Sequence, residues 1–366
     1  LAITLVVGSF FADSFAPLVE ELAGLEKLTP FYWFLQGDPL LEGPSPSFAI
    51  LAAGSGLFAA LAGVLFQRRD VRAEAPVVSL PGVPFVEGGR SRRPSRLLRS
   101  IYRETTWERR KSLWAWLGGL AVLSGIVMAF YPAIASGAEQ DAFQALLDAI
   151  PEELLALFGI TEPESLLTAA GFISSRVYSS IGLLLMIAFA VGMGRSALAG
   201  EEERGTADLL VSMPVSRRRI VTERFLGMVT LVGFLSVWLT VVVAAGNQIF
   251  VLDLDGEAVV AANLGMGLIG LVFGSLALAV GAVSGRPGVT AAVAGGAAAA
   301  TFFLNGLAAA IDPLAPLRPL SPFYWYLGES TPLATGFSAT FGLLAVLTIT
   351  FFIGAVLLFD RRNLGT

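Results

Sequence analysis

Seven stretches of about 20 mostly apolar residues are spaced along this chain of 366 residues and limit its fold more than any other feature. A helix needs about 20 such residues to cross the hydrocarbon core of a bilayer. An eighth, partial stretch covers residues 1–11. The pattern predicts an all-α polytopic membrane protein. The complete stretches are 48–66, 113–131, 177–198, 225–250, 259–284, 289–311 and 336–359.

Basic residues fall almost entirely on one face of the bilayer if these spans alternate in direction. That face receives 21 of the 24 Lys and Arg residues, and only Lys27, Arg176 and Arg318 lie on the other. Because cytoplasmic loops are enriched in Lys and Arg, the basic face is predicted to be cytoplasmic. We therefore expect a multi-pass plasma-membrane protein with a cytoplasmic C-terminus.

An internal repeat organises the chain. The segment LTPFYWFL at 28–35 recurs as LSPFYWYL at 320–327, and Phe-Phe at 10–11 recurs at 302–303 with the same offset. An Arg-Arg pair follows the last span in both copies. The repeat predicts that residues 1–71 are the end of a first transmembrane unit and residues 112–366 a complete six-helix unit. The start of the first unit is expected to precede Leu1.

Two segments connect the predicted units. Residues 72–95 are rich in Pro, Gly and Arg without apolar periodicity, which is typical of an irregular cytoplasmic linker. Residues 96–111 alternate basic and apolar side chains at helical spacing and predict an amphipathic helix at the membrane interface. A calmodulin-binding or nucleic-acid-binding helix also fits these charges, but the position directly before a span favours the membrane, so no nucleic-acid partner is expected.

Missing residue types exclude several kinds of site. The chain has no Cys and no His, which removes disulfides, cysteine nucleophiles and Cys/His metal centres. Its two lysines, Lys27 and Lys111, do not follow Gly, so the chain has no phosphate-binding P-loop. We therefore expect no catalytic residues, no metal ligands and no directly bound cofactor.

The predicted cytoplasmic hairpin at 199–224 carries the most specific pattern. Gly205 permits a sharp turn, and Thr206 can cap a short helix. Pro214 ends that helix because it lacks an N–H group, and Ser216 can cap a second helix that leads into the next span. The hairpin is thus predicted to form a rigid helical elbow, which suits force transmission between a partner and two spans.

As an ordered set, the hairpin residues resemble those of the ABC-2 type permeases, the membrane subunits of one class of ATP-binding-cassette transporters. The resemblance covers residues 95–366 and the repeated end at 1–71, and it implies that segment 205–219 couples to a separate ATPase subunit. The tandem arrangement is similar to a subgroup described as exporters of polyketide antibiotics. The matching residues are Glu202 or Glu203, Gly205, Thr206, Leu209, Leu210, Pro214, Ser216 and Arg217.

The resemblance implies a transport permease and not an enzyme. Two copies of the ATPase would use ATP, and the permease would export a hydrophobic or amphipathic small molecule. Three alternatives stay open: an autonomous secondary transporter, an integral membrane enzyme and a purely structural membrane protein. A secondary transporter needs buried ligands for a coupling ion, and no chain of carboxylates suited to that role lies in the spans.

Polar residues within or beside the spans are candidates for the translocation path. They are Asn263, Asn305 and Arg176. The alternative for each Asn is a hydrogen bond that joins neighbouring helices. Glycines and alanines in the fourth and fifth spans of the complete unit predict close helix packing.

Two other features have a simpler interpretation beside the functional one. The basic run at 217–219 can anchor the inner leaflet, because cytoplasmic ends of spans are enriched in Arg. The aromatic segments at 28–35 and 320–327 are typical of interface belts, and Pro30 and Pro322 predict a re-entrant turn within them.

Overall fold

The computed structural model describes residues 27, 29–35, 50–57, 101–135, 144, 163–200, 215–328 and 332–361. The chain divides into two compact units, Leu1–Arg93 and Pro94–Thr366. In the first unit, the described residues include helix α1 (Pro30–Leu35) and a helical stretch at 50–57 inside the predicted span 48–66. The predicted stretch 1–11 and the linker 72–95 lie outside the described residues.

Among the described residues of the second unit, six helical segments are long and apolar enough to cross a membrane, so the predicted all-α polytopic fold is confirmed. A shorter helix, α2 (Ile101–Glu108), precedes them. We call the end of the bundle that carries Arg217 the basic end and the opposite end the distal end. The six spans are α3 (Arg110–Ile134), a second span that begins with α4 (Ala169–Ile173) and continues as α5 (Ile181–Ala197), α6 (Arg217–Phe250), α7 (Gly256–Ser284), α8 (Pro287–Ala310) and α11 (Phe341–Arg361).

The second span begins at Ala169, before the predicted start at residue 177. Its first turns contain polar residues, and for this reason the apolar pattern predicted a later start. A π-helical turn, Ser174–Tyr178, separates α4 from α5. The Ser179 N–H donates to the Ser174 carbonyl, five residues back, over 2.8 Å. The Ser180 hydroxyl donates to the carbonyls of Ser175 and Arg176. These bonds satisfy backbone carbonyl groups where the π-helical turn disturbs the regular helical hydrogen bonds in an apolar environment.

The third span, α6, is much longer than a bilayer requires. Its 34 residues correspond to a length of about 50 Å, whereas the hydrocarbon core is about 30 Å thick. The helix begins at Arg217, eight residues before the predicted start at Phe225. The polar residues of its first turns lower the mean hydropathy there, and for this reason the predicted span begins too late. The extra turns lie at the basic end of the bundle.

Helix α7 forms the centre of the bundle and contacts α5, α6, α8 and α11. In the most apolar 18-residue stretch of α7, 78% of the residues are buried, whereas the corresponding value for α11 is 17%. Small residues permit this packing: a side chain at Gly274 would meet the Ala190 carbonyl oxygen of α5 at 3.0 Å, and one at Gly267 would overlap Ser236 of α6. The predicted packing role of these glycines is confirmed.

The aromatic segment of the second unit re-enters the bundle from the distal end. A 3-10 segment (Asp312–Leu320) leads into α9 (Pro322–Leu327), and α10 (Pro332–Thr335) follows. The Ser321 hydroxyl donates to the Thr301 carbonyl of α8 over 2.7 Å, and Phe323 packs against Phe273 in the middle of α7. The segment therefore turns back into the bundle at Pro322, as predicted, and Phe323 is fully buried there.

The two aromatic segments share one local structure. The Trp325 indole N–H donates to the Pro319 carbonyl over 2.9 Å, and the Trp33 indole N–H donates to the Lys27 carbonyl over the same distance. Each bond spans six residues and closes the turn before a short helix. The similarity of sequence at 28–35 and 320–327 therefore extends to hydrogen bonding.

Candidate coupling site at the basic end

Two residues of the predicted coupling set belong to the part of the chain that the structure describes. Ser216 caps α6 as predicted, because its hydroxyl accepts from the Arg219 N–H over 3.4 Å. Arg217 is the first residue of the helix. The remaining coupling residues lie outside the described residues: Glu202, Glu203, Gly205, Thr206, Leu209, Leu210 and Pro214.

The basic run at the start of α6 contacts protein groups and is more than a leaflet anchor. The Arg218 guanidinium donates to Asp360 of α11 through two nitrogens, over 2.8 and 3.0 Å. The Arg217 guanidinium donates to the Phe359 carbonyl over 3.4 Å. Because the Arg218 side chain is 67% exposed, the ion pair contributes little stability.

A second set of contacts ties α2 to the same end of α6. The Glu223 carboxylate accepts from the Tyr102 N–H over 3.0 Å and from the Arg219 guanidinium over 2.7 Å. This carboxylate therefore caps the start of α2 and holds a neighbouring cation. Two turns further along α6, the Thr230 hydroxyl lies 3.1 Å from the Tyr102 hydroxyl, within hydrogen-bonding distance.

A buried arginine forms the centre of the α2–α6 contact. Arg224 is only 5% exposed and donates to the Thr105 hydroxyl over 3.0 Å. Thr105 in turn donates to the Ile101 carbonyl of its own helix over 2.8 Å, which orients its oxygen toward the guanidinium. Gly227 lets the helices approach closely, since a side chain there would meet the Thr105 methyl group at 3.0 Å.

An apolar cluster fills the space between these polar contacts. Ile101 of α2 and Phe359 of α11 pack with Ile220 and Val221 of α6. The rings of Phe225 and Phe352 stack with their centroids 4.3 Å apart. The start of α6 is thus packed against α2 on one side and α11 on the other, so a displacement of its first turns would act on both helices.

Four residues of this site were not predicted from the sequence: Thr105, Glu223, Arg224 and Asp360. Their partners lie 119 to 142 residues away in the chain, and no spacing rule joins residues so far apart. A signal was nevertheless present: Glu223 and Asp360 are acidic residues in the otherwise basic ends of two spans.

Among the described residues, no hydrogen bond joins the three candidate path residues to one another. Asn263 donates to the Val259 carbonyl of its own helix over 2.8 Å, and its side chain also lies beside the Tyr178 hydroxyl of the second span. The Asn305 side chain is buried in α8, and its Oδ1 accepts no hydrogen bond from the described residues. Arg176 donates to the Ser175 hydroxyl, and its guanidinium lies 4.0 Å from the centroid of the Phe172 ring.

Comparison with known proteins assigns the family. A search of the curated proteins gives no match. The family described as ABC-2 family transporter protein matches residues 100–364, which is well over half of the chain and includes all six spans and the coupling site. The chain therefore belongs to the ABC-2 transporter family and is a membrane-spanning permease of an ABC transporter.

Proposed function

We propose that this permease exports a hydrophobic or amphipathic small molecule, driven by two copies of a separate ATPase that act on the hairpin 199–224. The basic end would face the cytoplasm, as the distribution of Arg and Lys indicates. ATP would be used by the partner alone. The second unit would work together with the first unit, to which residues 1–71 belong.

The length and anchoring of α6 support this mechanism most directly. The helix runs unbroken from the capped end of the hairpin to the distal end of the bundle. A force on the hairpin would move α6 as one lever, because an intact helix transmits displacement along its axis. The contacts of Arg224 with α2 and of Arg218 with α11 would spread that displacement over three helices.

Alternating access then requires the two six-helix units to rock against each other. ATP binding would bring the two ATPase subunits together and push the hairpins, and ATP hydrolysis would release them. In this scheme the permease contributes shape changes and a path, while the partner contributes the chemical step.

Copurification tests the proposal. The full-length chain would be coexpressed with candidate ATPase subunits and purified in mild detergent. We expect one ATPase to be retained at two copies per chain, and we expect Leu209→Asp with Leu210→Asp to abolish retention, since these residues would form the apolar face of the hairpin.

A matched control uses the other turn at the basic end. Arg286 lies between α7 and α8 and is exposed. Arg286→Glu therefore changes the charge at the same end of the bundle and leaves the sequence of the hairpin 199–224 unaltered. ATPase retention should survive this change. Retention of no candidate ATPase by the unaltered chain, together with transport that follows an ion gradient, would instead support an autonomous carrier.

A further inference from the structure

A line of exposed basic and aromatic side chains runs along α2 and into the start of α3. Successive positions in this line are three or four residues apart, so they lie on one side of the helix. Arg109, which joins the two helices, has dihedral angles in the right-handed helical region (φ −83°, ψ −7°), and the line therefore continues from α2 into α3. We call it the outer stripe, and it consists of Arg103, Trp107, Arg110 with its neighbour Lys111, and Trp114.

The opposite side of α2 packs against α6. Ile101 and Thr105 are buried there, and the Thr105 hydroxyl accepts from Arg224 over 3.0 Å. The contact between α2 and α6 therefore determines which side of α2 points away from the bundle.

The three cations of the outer stripe have no anionic partner in the part of the chain that the structure describes. No hydrogen bond or ion pair from those residues reaches the side chains of Arg103, Arg110 and Lys111. The Arg110 guanidinium instead lies over the Trp107 ring, 3.8 Å from its centroid. A guanidinium stacked on a ring keeps its N–H groups at its edge, where they can donate to an acceptor from outside the chain.

The two tryptophans of the outer stripe are largely uncovered by protein. Trp107 is 57% exposed and Trp114 is 70% exposed. The nearby Trp116 differs, because its ring packs against Phe189 of α5 with the centroids 5.6 Å apart. Exposed tryptophan is favoured where a span enters the bilayer, since its ring lies among apolar groups and its N–H meets the headgroups. Trp114 belongs to the first turns of the span α3, so the outer stripe lies at this level.

We propose that the outer stripe binds the headgroup of an anionic phospholipid at the basic end of the bundle. The phosphate oxygens would accept from the three cations, and the tryptophans would flank the upper part of the acyl chains. Charge complementarity selects this ligand, because residues 101–114 include four basic and two acidic residues and because guanidinium groups fit phosphate well. A zwitterionic lipid carries its own cation and should bind more weakly. The site is separate from the hairpin 199–224 and does not depend on the ATPase.

Fluorescence quenching by spin-labelled lipids tests the proposal. Since the chain has no Cys, Gly118→Cys provides a single attachment point for a fluorophore. Gly118 is exposed, lies one turn beyond Trp114 on the same side of α3, and has space for a side chain. The full-length chain would be reconstituted in phosphatidylcholine vesicles with a small fraction of either phosphatidylglycerol or phosphatidylcholine that carries a nitroxide near the headgroup.

We expect half-maximal quenching at about a tenfold lower fraction of the labelled phosphatidylglycerol than of the labelled phosphatidylcholine at low salt. High salt should reduce this preference, because the cations are exposed and their charges are screened. The test variant replaces the three cations of the outer stripe with Gln and should abolish the preference: Arg103→Gln, Arg110→Gln and Lys111→Gln.

A matched control variant removes the same charge from the same end of the bundle. It replaces three exposed arginines outside the outer stripe, at the basic ends of α5 and α11 and in the turn between α7 and α8, and it should keep the preference: Arg195→Gln, Arg286→Gln and Arg361→Gln. Quenching by the labelled phosphatidylcholine should be equal in all variants, which checks that each chain is inserted normally.

Equal quenching by the two lipids in the unaltered chain would overturn the proposal and assign the outer stripe to a protein partner. A preference that survives in the test variant would also overturn it. So would equal loss of the preference in the control variant, because the lipid would then respond to the charge of the whole basic end. If the test variant does not insert normally, Arg110→Gln alone decides, and an unchanged preference in that variant would contradict the proposal.

Discussion

The contact between α2 and α6 makes a quantitative prediction about local stability. In Thr105→Val the side chain keeps nearly the same shape but loses the oxygen that accepts from Arg224 over 3.0 Å. Both residues are 5% exposed, so water can replace this bond only if the helices separate. A hydrogen bond to a charged group contributes about 1.5–3 kcal/mol. We expect the α2–α6 contact to be weakened by this amount.

Hydrogen exchange measured by mass spectrometry would detect the change. Because 1.4 kcal/mol corresponds to a factor of ten, opening of α2 should become about 10- to 100-fold more frequent, and the amides of Ile101–Glu108 should exchange faster by this factor. Exchange in the centre of α7 should not change, since that helix is packed on all sides by other spans.

Thr106→Val is the control for this experiment. Its hydroxyl donates only to carbonyls of α2 itself, those of Tyr102 and Arg103, so the same substitution one residue along removes no contact with α6. Equal exchange rates in the two variants would refute the assignment of the Thr105–Arg224 hydrogen bond as the tether between these helices.

Three further substitutions test other parts of the structure. Ser216→Ala removes the cap of α6 and should lower the free energy of unfolding by about 0.5–2 kcal/mol in thermal denaturation; no change would contradict the capping role. Gly274→Leu inserts a side chain where α5 and α7 touch and should cost at least about 1–3 kcal/mol and reduce the yield of monodisperse protein in gel filtration. Gly233→Leu, at a position with no neighbouring atoms, should leave that yield unchanged. Arg218→Glu should cost less than about 1 kcal/mol in thermal denaturation, and adding Asp360→Arg should restore the loss at low salt; a larger loss unaffected by salt would show that the pair is not a solvent-exposed one.

The coupling site was only partly predictable from the sequence. Ser216 and Arg217 were identified because capping and charge are local properties, determined within a few residues. The contacts of Arg224 with Thr105 and of Arg218 with Asp360 were not, because each joins helices that are more than 100 residues apart in the chain. Which face of each helix meets which neighbour depends on packing of the whole bundle.

The sequence by itself determined the membrane fold, the number of spans in the second unit and the re-entrant turn at Pro322. These follow from the length of apolar segments and from backbone chemistry, since a helix in lipid must satisfy its own hydrogen bonds. Only the tertiary structure decided that α6 is anchored by α2 and α11. That arrangement depends on contacts between segments more than 100 residues apart, and no local pattern encodes it.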